Sequence, residues 1–366
     1  MMTLIDIIAG ARPNFMKIAP IIGAIKKSQK NGGKLSFRLV HTGQHYDSKL
    51  SGLFFDQLNI PRPNINLDVG SGTQAEQTGA IMIKYEKLLI DEPSQLCMVV
   101  GDVTSTMACA ITAQKMGVPV AHVEAGIRSG DWTMPEEINR LVTDSVTNYF
   151  FTTSTTANEN LIKANVKKEN IFFVGNTMID TLLANFDRLK PPPFWNNLKL
   201  ASGGYFILTL HRPSNVDSIQ KFKDLLLAVG KFSHELPIIF PVHPRTAKTL
   251  LEVKGLPEKL HIVDPQPYLE FNYLVKNAKA VITDSGGVTE EATVLGVPCM
   301  TLRDSTERPE TVSIGTNRLI GTSPSALESA LNNLFEGKWQ EGDIPEKWDG
   351  KTAERIISIL EKLLCQ

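Results

Sequence analysis

Short apolar runs alternate with segments of helical periodicity along almost the whole chain. Two of these runs, Leu96–Val100 and Val118–Val123, are nearly continuous in apolar residues. Such runs are typical of strands that are buried on both faces of a parallel sheet. Helical patterns such as Ser105–Lys115 stand between them. The alternation predicts an α/β fold with doubly wound parallel sheets.

A proline stretch divides the alternation into two series. Lys190 is followed by Pro191–Pro193, and such a stiff segment fits a linker between domains. The length of 366 residues, 42% of them hydrophobic, is sufficient for two domains with good cores. We therefore predict two Rossmann-like domains, at residues 1–176 and 177–352. The last helix, residues 353–364, is a candidate to pack back on the first domain.

Composition and charge argue against several classes of function. The formal net charge is −1 and the sequence pI is about 6.7, so no general attraction to nucleic acid or to an anionic membrane is expected. No apolar run reaches the roughly 18 residues of a membrane span, and no signal peptide is visible. The four cysteines show neither a CxxC motif nor metal-ligand spacing, and Cys97 and Cys109, which lie in a strand pattern and a helix pattern, are expected to be buried thiols. We expect a soluble, cytoplasmic protein.

Three acidic segments follow one another in the first half of the chain. Asp102 and Glu124 come directly after apolar strands, and Glu136 follows Pro135 at the start of a predicted helix. Ligands of open α/β sheets bind beyond the carboxyl ends of the strands, so these carboxylates are expected to converge. Neighbouring acids raise one another's pKa, which suits general acid and base catalysis. Structural alternatives are helix capping by Asp102 and dipole complementation by Glu136, whereas Glu124 has the weakest structural explanation.

The segment Gly10–Lys17, directly after the first strand, is the first candidate anion site. It lacks the GxGxxG spacing of a dinucleotide site, which disfavours NAD. Arg12 lies in the turn, and Lys17 lies one to two helical turns further on, so both could reach an anion at the helix start. The alternative is that Lys17 is an ordinary solvated helix residue.

A glycine-rich turn in the second half of the chain is the other candidate phosphate site. Ser285, Gly286 and Gly287 follow an apolar strand and begin a helix, which is a natural cradle for phosphate. Glu290 and Glu291 come one turn later. They either complement the helix dipole or accept the hydroxyl groups of a ribose.

Two histidines end neighbouring strands of the second series. His211 follows the strand Tyr205–Leu210, and His243 follows the next strand. Lone histidines are usually satisfied by local hydrogen bonds, but two that face one cleft favour a functional interpretation. Neither has the spacing of a metal ligand, so we expect no metal site. The charged loop Thr306–Glu310 is compatible with a solvated loop and with a functional one.

Taken together, these segments resemble the non-hydrolysing UDP-N-acetylglucosamine 2-epimerases, a GT-B-like family. The motifs that carry the resemblance occur in the family's order: ARPNFMKIAP from residue 11, GDVTST from 101, HVEAGIRS from 122, MPEEINR from 134, VGNTMID from 174, LHRPSN from 210, PVHP from 241, DSGGVTEEA from 284 and RDSTERPE from 303. The resemblance implies two Rossmann-like domains in a GT-B arrangement, a UDP-sugar in the cleft, a homodimer, no metal and no nicotinamide cofactor.

The resemblance also implies a reaction and a set of site residues. The family interconverts UDP-GlcNAc and UDP-ManNAc by anti elimination of UDP to 2-acetamidoglucal and re-addition of UDP, which supplies precursors of surface polysaccharides. Positions that match the family's catalytic residues are Asp102, Glu124, Glu136 and the cleft histidine His211. Positions that match its substrate-binding residues are Arg12, Lys17, His243, Phe271 on the nucleobase side, the phosphate loop Ser285, Gly286 and Gly287, and the ribose-binding acid Glu291.

The sequence departs from the family's pattern at several positions. Asn14 stands where many members have glutamate, and Pro213-Ser214 replaces a frequent Arg-Glu pair. The segment Thr42–Asp47 differs from the TAQHR pattern of members that their own substrate activates, so such regulation is not expected. The combination of Arg12 and Lys17 speaks against the branch that hydrolyses its substrate.

Three alternatives remain open at this point. A 2-epimerase of UDP-2,3-diacetamido-2,3-dideoxyglucuronate would use the same mechanism on another sugar. A GT-B glycosyltransferase would need the nucleotide cradle but not three converging carboxylates. A UDP-sugar-binding protein without activity would not need the acids either.

Overall fold

Two compact units make up the part of the chain that the computed structural model describes, residues 2–43 and 55–365. Unit 1 comprises Met1–Ala184 and Glu346–Gln366, and unit 2 comprises Asn185–Pro345. The chain therefore leaves unit 1 once and returns to it for its last residues.

In its described residues, unit 1 contains one sheet of seven strands, all paired in parallel. The strands are β1 (Thr3–Ala9), β2 (Leu35–His41), β3 (Ile65–Asn66), β4 (Leu96–Val100), β5 (Val120–Val123), β6 (Tyr149–Thr152) and β7 (Ile171–Phe173). Their order across the sheet is β3-β2-β1-β4-β5-β6-β7. Every residue of β4 and β5 is buried, which explains their apolar runs. Residues 44–47 of the segment Thr42–Asp47 lie outside the described residues.

Helices connect these strands and pack in two groups. They are α1 (Arg12–Lys30), α2 (Gln74–Asp91), α3 (Thr104–Lys115), α4 (Pro135–Ser145), α5 (Thr155–Lys163) and α6 (Thr177–Ala184). Helix α3 packs against both α2 and α4, whereas α1 packs against α6. The apolar sides of α2 and α3 bury Tyr85, Leu89 and Ala108 against the sheet residues Val99 and Val120.

Unit 2 repeats the architecture with a sheet of six parallel strands among the residues described. The strands are β8 (Phe206–Thr209), β9 (Ile238–Pro241), β10 (Leu260–Val263), β11 (Ala280–Thr283), β12 (Cys299–Thr301) and β13 (Asn317–Leu319). The helices are α7 (Pro213–Val216), α8 (Ile219–Phe232), α9 (Pro244–Leu250), α10 (Tyr268–Asn277), α11 (Gly286–Val294), α12 (Pro309–Ser313) and α13 (Pro324–Phe335). The strand order is β10-β9-β8-β11-β12-β13.

Each sheet reverses its strand order at one point, between β1 and β4 in unit 1 and between β8 and β11 in unit 2. At such a switch point the loops on the two sides diverge and leave a crevice in which doubly wound proteins bind ligands. The prediction of two parallel α/β sheets is confirmed. The predicted site segments follow β1, β4 and the neighbouring β5 in unit 1, and β8, β11 and the neighbouring β9 in unit 2.

The last segment of the chain, Glu346–Gln366, belongs to unit 1 and is held there by buried polar contacts. It ends in helix α14 (Thr352–Leu364), which packs against α1 and α6. The carboxylate of Asp180 accepts hydrogen bonds from the backbone N–H groups of Thr352 (3.1 Å) and Ala353 (2.7 Å). These two groups lie in the first turn of α14, where intrahelical partners are lacking. The indole of the buried Trp348 donates to a carbonyl oxygen of unit 1 at 3.1 Å.

The domain bounds of residues 1–176 and 177–352 stay a prediction. The two compact units are defined by contacts within the structure, whereas a domain is defined by its ability to fold independently. Over the described ranges, none of the helices is long and apolar enough to cross a membrane.

Candidate active site

Asn14 holds the loop after β1 against the end of β4. Its Oδ1 accepts hydrogen bonds from the backbone N–H groups of Gly10 (3.1 Å) and Ala11 (3.0 Å). Its Nδ2 donates to the carbonyl oxygen of Val100 at 2.8 Å. An amide supplies both functions, whereas an ionised carboxylate can only accept. The residue that departs from the family's frequent glutamate therefore joins the two strands of the switch point in unit 1.

A buried ion pair joins α1 to the end of β5. The Nζ atom of Lys17 lies 2.5 Å from Oε2 of Glu124, and their side chains are 10% and 3% exposed. Glu124 has a φ of +72°, a left-handed conformation that residues other than glycine rarely adopt and that is enriched at functional sites. A Cβ atom on Gly101 would lie 3.0 Å from Nζ of Lys17, so a larger residue there would press on the pair. The structure thus brings two predicted site residues into direct contact.

Asp102 pairs with an arginine instead of capping the next helix. Its Oδ2 lies 2.5 Å from Nη1 of Arg140, and its side chain is 33% exposed. The N-cap residue of α3 is Val103, whose side chain makes no capping hydrogen bond. The amide of Asn139 donates to the carbonyl oxygen of Asp102 at 2.9 Å. Helix α4 therefore fixes both the backbone and the carboxylate of Asp102.

Two adjacent acids at the start of α4 have different environments. Glu136 is exposed. Glu137 is buried and accepts hydrogen bonds from the backbone of Ser129 (2.9 Å) and Gly130 (3.1 Å) and from Nε of Arg140 (2.9 Å). Burial raises the pKa of Glu137, but these hydrogen bonds and the positive charge of Arg140 outweigh it, so the pKa lies below its usual range. Glu137 is thus a fixed anion that orients Arg140, while Glu136 faces solvent on the surface of unit 1.

In unit 2, Asp284 joins the two sides of the switch point. It is fully buried at the end of β11 and accepts hydrogen bonds from the backbone N–H groups of His211 (3.0 Å) and Arg212 (2.9 Å), which follow β8. The Nδ2 atom of Asn215 donates to it at 3.1 Å, and Nδ1 of His211 lies 2.9 Å away. Burial raises the pKa of Asp284, but the hydrogen bond and charge of His211 and the other donors outweigh it, and the pKa is lowered.

His211 presents its second ring nitrogen away from this aspartate. Because Nδ1 donates to Asp284, the Nε2 atom is left for another partner, as in histidines that a carboxylate orients. The side chain of His211 is 40% exposed. Its ring centroid lies 5.9 Å from that of His243, which is exposed. The two predicted histidines therefore stand side by side at the ends of β8 and β9.

The glycine-rich turn forms the start of α11, as the sequence predicts. Ser285 is the residue that precedes this helix, and its backbone N–H donates to Oγ1 of Thr283 at 3.0 Å. The first N–H groups of a helix lack partners within it and attract anions. A Cβ atom on Gly286 would meet no other atom within 4 Å, so open space adjoins these groups within unit 2.

Glu291, the predicted acceptor of the ribose hydroxyls, is buried behind this turn. It is 3% exposed, and Nδ2 of Asn272 donates to its Oε1 at 3.2 Å. Burial raises the pKa of Glu291 to about 7, against the opposing hydrogen bonds from Tyr268 and Asn272. Near neutral pH its carboxyl group is therefore divided between the neutral and the charged form.

Glu291→Gln should remove a pH dependence from the stability of unit 2. The folded-state pKa of about 7 lies above that of an unfolded glutamate, so wild type loses stability as pH rises from about 4 to about 7. At about pH 8 the glutamine variant should be more stable by roughly 3 kcal/mol, and at about pH 5 by only about 1 kcal/mol. Urea unfolding of both proteins at the two pH values measures the difference. An equal difference at both would contradict the prediction.

The loop Thr306–Glu310, which the sequence left undecided, is tied down by ion pairs. Glu307 bridges two arginines, with Oε1 3.2 Å from Nη2 of Arg212 and Oε2 2.5 Å from Nη1 of Arg303. Burial alone would raise the pKa of Glu307, but the two guanidinium groups lower it to about 2. The next residue of the loop, Arg308, pairs with the buried Glu290. These ion pairs therefore hold the loop in a defined position in unit 2.

An apolar cavity of 1140 Å³ opens at the ends of β9 and β10. Its walls include Val242, Leu250, Ile262, Val263, Pro265 and Pro267. Phe271 is partly buried against the neighbouring core cluster and does not line this cavity.

The predicted site residue Arg12 lies in unit 1, where it is the first residue of α1.

Sequence reasoning identified the acids and Lys17 as site residues, but not the other charged groups that hold them. Arg140 and Asp284 received no role, although both contact predicted site residues. His122 was also passed over, and the signal was present, because a histidine inside an apolar strand must have hydrogen-bonding partners.

Comparison with known proteins gives consistent results in sequence and in structure. The sequence profile of a family described as UDP-N-acetylglucosamine 2-epimerase matches residues 27–361. A UDP-N-acetylglucosamine 2-epimerase of Methanocaldococcus jannaschii is 41% identical over 97% of this chain and 98% of that protein. A UDP-2,3-diacetamido-2,3-dideoxy-D-glucuronate 2-epimerase of Pseudomonas aeruginosa is 38% identical over 97% of this chain and 99% of that protein.

A solved structure extends the match to the fold. The crystal structure of the Methanocaldococcus jannaschii UDP-GlcNAc 2-epimerase in complex with UDP-GlcNAc and UDP has a TM-score of 0.87 and 40% identity, covering 98% of this chain and all of that one. The resemblance drawn from the motifs, including its GT-B-like fold class, is confirmed. The chain belongs to the UDP-N-acetylglucosamine 2-epimerase family.

Proposed function

We propose that this protein interconverts UDP-GlcNAc and UDP-ManNAc without hydrolysis. The observation that carries the proposal is the pair of carboxylates beyond the ends of the neighbouring strands β4 and β5, Asp102 and Glu124, each in contact with a cationic side chain. Binding of a nucleotide alone requires no such acids, and a glycosyltransferase does not need three of them. The name of the Methanocaldococcus jannaschii relative, and the UDP-GlcNAc in its crystal structure, support the substrate.

The reaction proceeds by elimination and re-addition. The bond from C1 to the UDP oxygen breaks, and a carboxylate takes the proton from C2, which leaves 2-acetamidoglucal and UDP. A second carboxylate then returns a proton to the opposite face of C2, and UDP adds again at C1. Departure of UDP gives C1 oxocarbenium character, which acidifies the C2 proton and calls for negative charge nearby. Asp102, Glu124 and Glu136 supply the carboxylates.

The three acids divide into two kinds. Glu124 and Asp102 each contact a cationic side chain, Glu124 that of Lys17 and Asp102 that of Arg140. Glu136 is exposed on unit 1, which allows its carboxyl group to exchange protons with solvent. We therefore propose Glu136 as one of the two groups that carry a proton.

The nucleotide binds at the corresponding edge of unit 2. The N–H groups at the start of α11, in Ser285, Gly286 and Gly287, hold the diphosphate together with Nε2 of His211. Holding UDP in place after elimination favours its return over its loss.

The rest of the nucleotide extends over the neighbouring strand ends. His243 lies beside His211 at the end of β9. Glu291 accepts the ribose hydroxyls, and Phe271 lies on the nucleobase side.

The cellular setting is part of the same proposal. We propose a cytoplasmic homodimer whose domains span residues 1–176 and 177–352. The product is an activated amino sugar, which transferases that build surface polysaccharides consume.

A second substrate is favoured by one specific observation. The Pseudomonas aeruginosa relative, named for UDP-2,3-diacetamido-2,3-dideoxy-D-glucuronate, is 38% identical over 97% of this chain. The proposed chemistry at C2 is the same for both sugars, so specificity must come from contacts to C3 and C6. Activity assays with the two UDP-sugars side by side decide between them.

Incubation of the enzyme with UDP-GlcNAc in D₂O should place deuterium at C2 of the UDP-sugars recovered. The reason is that the proton removed by a carboxylate exchanges before another is delivered. Proton NMR and mass spectrometry measure the deuterium label. The Glu136→Gln variant is the matched control, because it lacks one of the two proposed proton-carrying groups and should incorporate much less deuterium. Epimer that forms without deuterium at C2 would rule out this mechanism. Transfer of the sugar to an added acceptor, with no epimer formed, would favour a glycosyltransferase.

A further inference from the structure

The helix that carries Lys17 contains a proline in its interior. Helix α1 runs from Arg12 to Lys30, and Pro20 lies inside it. Proline has no backbone N–H, and its ring crowds the carbonyl group four residues earlier, which belongs to Met16. The helix therefore cannot supply the hydrogen bond that this carbonyl oxygen would ordinarily accept. The missing bond lies directly beside Lys17 in the chain.

A side chain of another helix supplies the missing donor. The hydroxyl group of Thr181, on α6, donates a hydrogen bond to the carbonyl oxygen of Met16 at 2.5 Å. Thr181 is buried, and a buried hydroxyl group is costly unless it is hydrogen-bonded. Helices α1 and α6 pack against each other, so this bond joins them where Pro20 interrupts the bonding of α1.

The part of α1 before the proline is held by contacts to several elements. Asn14 donates from Nδ2 to the last residue of β4 at 2.8 Å, and Lys17 pairs with Glu124 after β5. Thr181 adds the bond from α6. Because helices kink where a proline removes a bond, the direction of this part depends on these contacts as well as on the rest of α1.

We propose that Thr181 is a positioning residue of the active site. It replaces the helix bond that Pro20 removes, and it thereby fixes the first turns of α1 and the place of Lys17 against Glu124. Thr181 directly follows the motif VGNTMID, residues 174–180, to which the proposed chemistry gives no part. The inference rests on the proposed function for its catalytic meaning, whereas the bond itself is a property of unit 1.

The place of Lys17 matters because its partner Glu124 is a proposed proton-transfer group. The Nζ atom of Lys17 lies 2.5 Å from Oε2 of Glu124, so a shift of α1 changes both the direction and the surroundings of this carboxylate. A misplacement of about 1 Å can cost roughly 100-fold in rate. A small shift of α1 should therefore lower kcat, whereas it should not alter the affinity for UDP, whose site we assign to unit 2.

The first arm of the test measures the bond through stability and needs no enzyme activity. Thr181→Val keeps the shape of the side chain but removes the donor to Met16, so it should lower Tm. Pro20→Ala restores a backbone N–H that can bond to the same carbonyl oxygen. In the Pro20→Ala background, Thr181→Val should therefore lower Tm by less than about half as much. Equal losses of Tm in the two backgrounds would overturn the proposal.

The second arm separates positioning from stability. Thr181→Val should lower kcat about 10-fold and leave UDP affinity close to that of the wild type, and Thr181→Ser, which keeps the hydroxyl group, should restore kcat. Thr112→Val is the matched control, because Thr112 is also a buried helix threonine of unit 1 and donates to the carbonyl oxygen of Ala108 at 2.9 Å. That carbonyl has its own donor in the regular helix α3, so kcat should not change.

The possible outcomes count against different claims. Equal values of kcat in Thr181→Val and Thr112→Val would mean a merely structural role for the hydroxyl group and overturn the positioning proposal. If Thr181→Val does not fold alone, its combination with Pro20→Ala should fold, and failure of both would overturn the proposal. Wild-type protein that forms no epimer with either UDP-sugar would overturn the proposed function instead, and the Tm comparison would still test the bond.

Discussion

Glu124→Gln is expected to lower kcat by about 10²- to 10⁴-fold, the range associated with loss of a general acid or base. The amide cannot take or return a proton, and Lys17, which is 10% exposed, is left without its counter-charge. The affinity for UDP should stay close to that of the wild type, because the proposed nucleotide site lies in unit 2. Steady-state assays measure kcat, and calorimetry measures UDP binding.

A lowered kcat with nearly unchanged UDP affinity is also expected for Asp102→Asn and Glu136→Gln, but the two variants should differ in stability. Asp102→Asn frees Arg140 from its partner at 2.5 Å, whereas Glu136 is exposed, so its variant should leave Tm unchanged. Ser285→Ala is the matched control with the opposite profile, since it should mainly weaken UDP binding. Near-normal kcat in all three acid variants would leave the proposed proton transfer without support.

Asp284→Ala should destabilise unit 2 by about 3–5 kcal/mol, because it leaves several donors unsatisfied and each buried unsatisfied donor costs about 1–3 kcal/mol. The change leaves the N–H groups of His211 and Arg212 and the amide of Asn215 without their acceptor. It also disconnects β8 from β11 at the switch point, so UDP binding should be lost. The stability of unit 2 can be measured separately from that of unit 1 by urea unfolding, with hydrogen exchange of peptides from β8 and β11 as the probe.

The pH dependence of this effect has a definite sign. Because the pKa of Asp284 is lowered in the folded state, its contribution is complete above about pH 4 and is lost as pH falls through the folded-state value. Asp343→Ala is the matched control, since Asp343 is an exposed aspartate of the same unit, and surface changes usually alter stability by less than about 0.5 kcal/mol. Equal stability of the two variants would contradict the central role of Asp284.

The sequence was sufficient to predict the strands and the edge of the sheet, at the carboxyl ends of the strands, where the candidate site residues lie. An acid such as Glu124 that directly ends an apolar strand must lie at a carboxyl edge, whatever the order of the strands. The partners of the acids were not predictable in the same way. Lys17 and Glu124 are 107 positions apart, and their contact depends on β4 lying beside β1, which hydrophobic periodicity does not encode.

Burial was the other property that the sequence did not reveal. Glu290 and Glu291 look alike as two acids in the first turns of a helix. In the structure Glu290 is neutralised by Arg308, whereas Glu291 meets the neutral side chains of Tyr268 and Asn272. These partners come from α10 and from the loop before α12, so the difference arises only when the helices pack.

The return of the chain to unit 1 has a consequence for how the protein is made. Asp180 bonds to the first turn of α14, and both ends of the chain belong to unit 1. A ribosome releases unit 2, Asn185–Pro345, in one continuous stretch before it releases α14. Unit 1 is therefore begun first but completed last, and until then the carboxylate of Asp180 and the apolar side of α1 lack their partners. Truncation before residue 346 should expose these groups while it leaves the whole sheet of unit 2 in the chain.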